Sequence, residues 1–293
     1  MDIESKKFLG QPKNFVSIFN ALLFDGQPVL KPEYLKDENS ELVMNVSSKH
    51  VDIIKRYEDG TYLDLFVIES QSYVDPSMVA RVMEYESVAR MRYIRQNFKK
   101  HVPMHTRLPM ILTVVLYVGE SKWNAAKRLS ELEIIHPGFE DMFNEFKLNL
   151  IELNTNHKYN TGEKATQDFF DLLRMIYRKQ ILKEDLDREF NRDALYFAYV
   201  VTKNKELLNI YQESEKGDVK VCRALDEMFE ESTNKGIQMG IKQGIEKGVE
   251  RGVKNTQIKI AIKMLVRNNQ TLEEISEIVG LDLDALKELK KSI

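Results

Sequence analysis

A carboxylate and an amide end the apolar segment LDLFVIESQS, residues 63–72, and could form part of a metal site. The apolar run is typical of a strand that is buried on both faces. Because side chains alternate along a strand, Glu69 and Gln71 are expected to point to the same face. Asp52 lies on the preceding predicted strand, and a hairpin between the two strands would bring it opposite Glu69.

Two facing carboxylates favour phosphate chemistry with a divalent cation. At close range Asp52 and Glu69 would repel each other, whereas Mg²⁺, which takes oxygen ligands, would remove that repulsion. Bound Mg²⁺ would polarise a phosphoryl oxygen and lower the pKa of an attacking water, while Gln71 would orient water or substrate. The alternative is that Asp52 pairs with a nearby Lys or Arg and that Glu69 is only a polar strand end. The spacing alone leaves both interpretations open.

The elements that would position these residues belong to an α/β fold. The pattern predicts a helix at 14–24, two strands at 49–57 and 61–70 joined by a turn at 58–60, two further strands at 108–119 and 146–154, and helices from Gln167 onward. Asp75 is expected as the N-cap and Pro76 as the first residue of a long helix that runs to about Lys100. This order predicts an α/β core with a helical C-terminal region.

Composition favours a cytoplasmic protein without a membrane segment. The 293 residues include one cysteine, Cys222, which excludes an internal disulfide and favours a reducing compartment. Residues 1–15 lack the apolar core of a signal peptide, and the most hydrophobic stretch, Met110 to Val118, is too short to span a bilayer. We therefore expect cytoplasmic localisation and no membrane partner.

The long predicted helix carries a concentration of positive charge in a chain whose formal net charge is −3. Residues 80–107 contain seven Lys or Arg and two acidic residues. At 100° per residue, one stripe of this helix holds a tyrosine and four basic residues, Arg81, Arg92, Arg95 and Lys99. Such a stripe could bind the DNA backbone without reading sequence. The alternative is a solvated helix face.

The order of short motifs resembles the PD-(D/E)XK nuclease superfamily and, within it, the recombination-promoting nuclease/putative transposase family. The pattern D-x(16)-E-x-Q is followed by SYVDPSMVARVMEY. The family positions are matched here by Glu69, Gln71, Ser72, Asp75, Met78, Arg81 and Tyr85. The segments LPMILTVVLYVGESKW and NFVSIFNALLFDGQPVLKPEYL and the glycine-repeat tail are also similar, so the resemblance covers nearly the whole chain.

The resemblance implies a restriction-endonuclease-like αβββαβ core and Mg²⁺-dependent cleavage of DNA, with Mn²⁺ as a substitute, linked to recombination or mobile elements. It implies that Asp52 and Glu69 are metal ligands and that Gln71 stands where the superfamily usually has lysine. The chain departs from the family in the first helix, where Ser17 replaces an acidic residue of many relatives. The alternative to an endonuclease is therefore a catalytically inactive nuclease-fold protein that binds DNA or another protein.

Five glycines recur every four residues in GIQMGIKQGIEKGVERG, and an Ile or Val follows each of them. Each glycine within a helix costs ~1 kcal/mol relative to alanine, so some other contact should compensate for the repeat. Rows of glycine let another helix approach closely, which favours a homo-oligomer formed through this helix. The alternative is a weakly helical linker.

The last residues of the chain predict two short helices. Thr271 and Glu274 form a capping box, and Gly280 ends the first of the two helices. The pair could be a helix-turn-helix that recognises DNA or a small packing module.

Together these patterns divide the chain into four parts. We expect a nuclease core at 1–160, a helical extension at 161–233, a glycine-repeat arm at 234–256 and a small C-terminal helical module at 257–293.

Overall fold

The computed structural model describes residues 3–37, 53–60, 63–214 and 217–292. The predicted metal ligand Asp52 lies outside these ranges. The helices of the described residues are α1 (Ile3–Leu9), α2 (Pro12–Phe24), α3 (Met78–Asn97), α4 (Lys164–Arg178), α5 (Arg192–Thr202), α6 (Lys205–Glu213), α7 (Cys222–Arg267), α8 (Leu272–Val279) and α9 (Leu283–Lys291). The strands are β1 (Leu35–Asp37), β2 (Ile53–Glu58), β3 (Leu63–Gln71), β4 (Ile111–Tyr117), β5 (Asn149–Glu152), β6 (Glu189–Phe190) and β7 (Val219–Lys220).

Strands β1 to β5 form a mixed five-stranded sheet in the order in which they occur along the chain. Strands β1, β2 and β3 pair antiparallel, whereas β3 pairs parallel with β4 and β4 with β5. Helix α3 makes the crossover that a parallel pair requires. The mixed α/β class with a helical C-terminal region is confirmed.

The two faces of the sheet are covered by different helices. On one face Phe66 of β3 contacts Phe19 of α2, with ring centroids 4.8 Å apart. On the other face Val67 forms a buried cluster with Tyr85 and Ala89 of α3. Because side chains alternate along β3, Glu69 lies on the same face as Val67, the face covered by α3.

The first half of α3 also packs over the end of the sheet where β3 and β4 finish. Met78, Val79 and Val82 join Val115 and Tyr117 of β4 in one buried cluster. These contacts hold the N-terminal turns of α3 against β4, the neighbour of the strand that carries Glu69 and Gln71.

A group of phenylalanines ties α1 to the helices that follow the sheet. The Phe8 ring centroid lies 5.7 Å from that of Phe169 in α4 and 4.8 Å from that of Phe197 in α5. The rings of Phe169 and Phe197 are themselves 4.4 Å apart. The first helix of the chain is thus part of the core built by α4 and α5.

A buried ionic network joins α4 to the short strand β6. Arg188 donates to Asp168 at 2.7 Å and to Asp171 at 2.8 Å, and both carboxylates are buried. The Arg188 guanidinium also lies 4.6 Å from the ring centroid of Phe190. We interpret this network as structural, because the charged groups of both aspartates are already paired.

The chain divides into two compact units, Met1–Asp226 and Glu227–Ile293. In the second unit, Ala261 and Leu265 of α7 pack against Ile275 and Val279 of α8 and Leu286 of α9. The predicted capping box at Thr271 and the left-handed stop at Gly280 are both confirmed. No helix in the described part of the chain is long and apolar enough to cross a membrane.

Three predicted boundaries were wrong. Helix α3 begins at Met78 and ends at Asn97, so neither the N-cap at Asp75 nor the extension to Lys100 is correct. The region after Gln167 is not entirely helical, because β6 and β7 form a two-stranded ribbon there. Each of these strands has only two residues, too few to show an alternating pattern in sequence.

Candidate active site

Glu69 and Gln71 lie at the end of β3 on the face covered by α3, and each is only 4% exposed. Glu69 Oε1 accepts a hydrogen bond of 3.0 Å from Arg81 Nη2. Within the described residues, the buried Nε2 atom of Gln71 has no hydrogen-bond partner. The prediction that these two side chains share a face is in accord with the regular alternation of β3.

Arg81 sits in the first turn of α3 and is surrounded by acceptors. Its Nη1 atom lies 2.6 Å from Asp75 Oδ2, and its Nη2 and Nε atoms lie 2.9 and 3.1 Å from the hydroxyl oxygen of Tyr85. The Arg81 side chain is 15% exposed. Its guanidinium therefore connects Glu69, Asp75 and Tyr85 in one network, which we call the Arg81 network.

The electrostatics of the Arg81 network favour its charged form. Burial alone would raise the pKa of the Asp75 carboxyl, but hydrogen bonds from Ser77 and Arg81 outweigh burial and hold that pKa below its usual range. Burial would lower the pKa of Arg81, yet its bonds to Asp75 and Tyr85 and the negative charge of Glu69 raise it. Burial raises the pKa of the Tyr85 hydroxyl, so this group remains neutral beside the ion pairs.

The short segment between β3 and α3 explains how Asp75 reaches Arg81. Asp75 Oδ1 accepts from the backbone N–H of Ser77 at 2.8 Å and from its hydroxyl at 2.7 Å, which fixes the turn before the helix. The other carboxylate oxygen is then directed at Arg81, six residues along the chain. Sequence reasoning missed this network, although the i, i+4 spacing of Arg81 and Tyr85 is a signal that could have indicated it.

The loop after β4 closes the same edge of the sheet beside Gln71. Gln71 pairs with Tyr117 in the parallel ladder, and the Tyr117 hydroxyl donates to the carbonyl of Ser121 at 2.7 Å. A Cβ atom on Gly119 would lie 2.5 Å from the carbonyl oxygen of Ser72 and 2.5 Å from the Tyr117 hydroxyl. Only glycine therefore fits where this loop passes the end of β3.

The donors of the site fit a hard divalent cation but do not form a complete set by themselves. Glu69 offers a carboxylate and Gln71 an amide oxygen on the same face, and Mg²⁺ prefers oxygen ligands. Among the residues that the structure describes, no group of three or more His, Cys, Asp or Glu side chains is placed to hold a metal ion. Ile53, which follows Asp52 in sequence, pairs with Ile68. Asp52 itself lies outside the described residues, so its contact with Glu69 stays a prediction.

Ser17, which replaces the first-helix acid of many relatives, lies on the opposite face of the sheet from Glu69 and Gln71. Its hydroxyl oxygen is buried, 2.8 Å from the Asn14 carbonyl oxygen and 2.8 Å from the Thr166 hydroxyl. Helix α2 covers the Phe66 face of the sheet, opposite to the face of Glu69. The hydrogen bonds of Ser17 thus join α2 to α4 and do not extend the site.

The predicted basic stripe is divided by the packing of α3. Arg81 donates to acceptors within the chain, and its predicted contact with the DNA backbone stays a prediction. Arg92 is half-buried, whereas Arg95 and Lys99 are exposed, and Lys99 follows the end of the helix. A DNA-backbone-binding role for Arg92, Arg95 and Lys99 likewise stays a prediction.

The buried face of α3 holds a second buried glutamate. Glu86 accepts from Arg90 Nη2 at 2.8 Å and from the backbone N–H of Thr113 at 3.1 Å. The buried face of α3 thus extends to Glu86, and Arg90 lies partly buried beside it.

One comparison with known proteins gives a match. A family model described as "putative transposase, YhgA-like" matches residues 33–207, which include β3, α3 and the Arg81 network. Neither the search of curated proteins nor the search of solved structures found a match.

Proposed function

Because the chain belongs to the YhgA-like family of putative transposases, we propose that it is a metal-dependent DNA endonuclease acting in recombination or on mobile elements. Transposition requires breakage of DNA strands. The proposed reaction is phosphodiester hydrolysis, in which a water oxygen bonds to phosphorus as the bond to the leaving sugar oxygen breaks.

The arrangement of elements supports a restriction-endonuclease-like αβββαβ core within this proposal. In chain order α2 is followed by β1, β2 and β3, then by the crossover helix α3 and the parallel strand β4. The order of these elements agrees with the αβββαβ description, and the candidate ligands lie at the end of its third strand.

The single observation that carries the proposal is the pair of buried polar groups at the end of β3. An unsatisfied buried amide costs about 1–3 kcal/mol, so Gln71 is not explained by stability. Glu69 would ligate the cation and Gln71 would orient the attacking water or a phosphate oxygen. Bound Mg²⁺, or Mn²⁺ in its place, would supply Lewis-acid chemistry at this position and would also need Asp52.

The exposed basic residues at the far end of α3 would hold the substrate. Arg95 and Lys99 are exposed, and phosphate contacts of this kind position DNA without reading its sequence. Binding through them should weaken as salt concentration rises. The proposed endonuclease would therefore take its position on DNA from the backbone.

Nicking of supercoiled plasmid tests the proposal. We expect cleavage by the full chain with Mg²⁺ or Mn²⁺, and its loss in Asp52→Ala and in Glu69→Ala while DNA binding in a gel-shift assay is retained. Glu84→Ala, an exposed acid on α3, is the matched control and should cleave like the unmodified chain. Equal cleavage by Glu69→Ala and the unmodified chain would exclude this site.

The second candidate function is a catalytically inactive nuclease-fold protein that binds DNA or another protein. It is favoured by the engagement of Glu69 with an internal cation, Arg81, and by the absence of an acid at Ser17. DNA binding without nicking under every divalent cation tested would support this second function.

We also propose that the chain forms a homo-oligomer through the glycine repeat. All five glycines lie within the continuous helix α7, and a Cβ atom on any of them would meet open space. The neighbouring Ile and Val side chains are exposed along the same helix. A second copy of α7 would cover this stripe of glycine and β-branched residues.

A further inference from the structure

The Glu69 carboxylate is buried, and Arg81, which lies beside it, also has other partners. Glu69 is 4% exposed and Arg81 Nη2 lies 3.0 Å from its Oε1 atom. An ionised carboxylate is costly to bury unless a cation accompanies it. Arg81 supplies that cation, and it also bonds Asp75 and Tyr85.

We propose that Arg81 is a positioning residue that serves as the internal counter-ion of Glu69 and takes the place of the divalent cation when none is bound. This inference rests on the proposed function, since it assigns Glu69 as a metal ligand. In this role Arg81 acts on the cation only through Glu69.

The partners of Arg81 explain how the exchange is made without moving the helix. When a cation binds Glu69, Arg81 gives up one hydrogen bond and retains those to Asp75 and to Tyr85. The guanidinium stays charged and in place, so Glu69 regains its counter-ion as soon as the cation leaves. The Arg81 guanidinium and the divalent cation compete for the Glu69 carboxylate. Because one of them is always present, the fold does not depend on the metal.

Loss of Arg81 should make the folded state depend on divalent cations. In Arg81→Gln we expect a lower melting temperature than in the unmodified chain when no divalent cation is present. Without the competing charge, the Kd for Ca²⁺ should fall by about tenfold, the scale of a unit charge at this range. Ca²⁺ should then raise the melting temperature of Arg81→Gln roughly twice as much as that of the unmodified chain.

A matched control exists on the same helix. Arg90 pairs with the buried Glu86 at 2.8 Å, much as Arg81 pairs with Glu69. Arg90→Gln should also lower the melting temperature, but Ca²⁺ should not restore it, because Glu86 bonds a backbone N–H and is no metal ligand. The double variant Arg81→Gln/Glu69→Gln should lose the response to Ca²⁺.

Thermal unfolding at pH 8 with and without Ca²⁺, together with calorimetric titration of Ca²⁺, measures these effects. Arg81→Lys keeps the charge and should return the Ca²⁺ response to that of the unmodified chain. If Arg81→Gln does not fold, Tyr85→Phe, which removes one partner of Arg81, should show a smaller increase of the same kind. The counter-ion role would be overturned if Ca²⁺ raised the melting temperatures of Arg81→Gln and Tyr85→Phe no more than those of the unmodified chain and Arg90→Gln.

Failure of the proposed function gives a different result. A chain that binds Ca²⁺ through Glu69 but never nicks plasmid would retain the counter-ion role and lose the endonuclease. A chain that nicks plasmid through Glu69, with the same Ca²⁺ affinity in Arg81→Gln as in the unmodified chain, would retain the endonuclease and lose the counter-ion role.

Discussion

Leucine in place of Gly240, Gly244 and Gly248 should stabilise helix α7 and at the same time weaken assembly. No atom lies within 4 Å of the Cβ that each substitution would add, so the chain itself accommodates the leucines. Replacing three glycines in a helix contributes about 2–3 kcal/mol of helix propensity. Between two copies, however, the same side chains would keep the helices apart.

The proposed contact between two copies of α7, which the leucines would disturb, would be marginal. The five Ile and Val side chains beside the glycines are 52–62% exposed: Ile237, Ile241, Ile245, Val249 and Val253. Covering the remaining exposed area contributes ~1 kcal/mol of association free energy for each side chain, which is ~10 kcal/mol for the five side chains of both chains together. Association itself costs about 4–15 kcal/mol, so the contact depends on close approach along the glycine row.

Light scattering after size exclusion, with circular dichroism on the same samples, measures both effects. We expect a smaller assembly and equal or greater helicity for the triple leucine variant, and a smaller assembly for a chain truncated before Gly236. The control changes Lys242, Glu246 and Glu250, on the far side of the helix, to alanine and should leave the assembly unchanged. The same mass for the full chain, the truncated chain and the leucine variant would refute the reasoning.

Three further predictions concern the body of the fold. Gly119→Ala would place a Cβ atom 2.5 Å from the carbonyl oxygen of Ser72 and should lower the free energy of unfolding in urea by about 1–3 kcal/mol. Unchanged stability would contradict this contact. Arg188→Met should lower the free energy of unfolding by about 2 kcal/mol, because Asp168 and Asp171 each lose one partner but keep others. Thermal unfolding measures this change, and an unchanged stability would contradict it. Burial raises the pKa of the Cys222 thiol to about 11, so at pH 8 thiol reagents should label it only as the chain unfolds, whereas rapid labelling in plain buffer would contradict its burial.

Strand periodicity was the most informative signal in the sequence. The alternation in β3 correctly indicated that Glu69 and Gln71 share a face, because a regular strand of nine residues leaves no other arrangement. Asp52 could be assigned only by assuming the hairpin register, and its contact with Glu69 stays a prediction. The roles of Gln71 and of the cation likewise stay predictions.

Helix periodicity was less informative, because an angle around a helix does not say which face is buried. The angles around the helix placed Arg81 correctly relative to Tyr85, but the stripe that contains them was expected to face solvent. Tyr85 is buried in the structure, and Arg81 turns toward Glu69 and Asp75. Asp75 had the position and type of an N-cap, yet a tertiary ion pair competed for its carboxylate and the helix began later.

The parallel pairing of β3 with β4 also determines the order in which the polar contacts can form during folding. The β2–β3 hairpin and the Arg81–Tyr85 pair are local, and both can form before the rest of the sheet. The β3–β4 ladder joins positions such as Glu69 and Val115, so it must first close a long loop that contains α3. In a β2–β3 hairpin that formed before α3 docked, Glu69 would be hydrated. We therefore expect its transfer from water to Arg81 to coincide with closure of the crossover, so that the candidate site is completed only when the chain topology is.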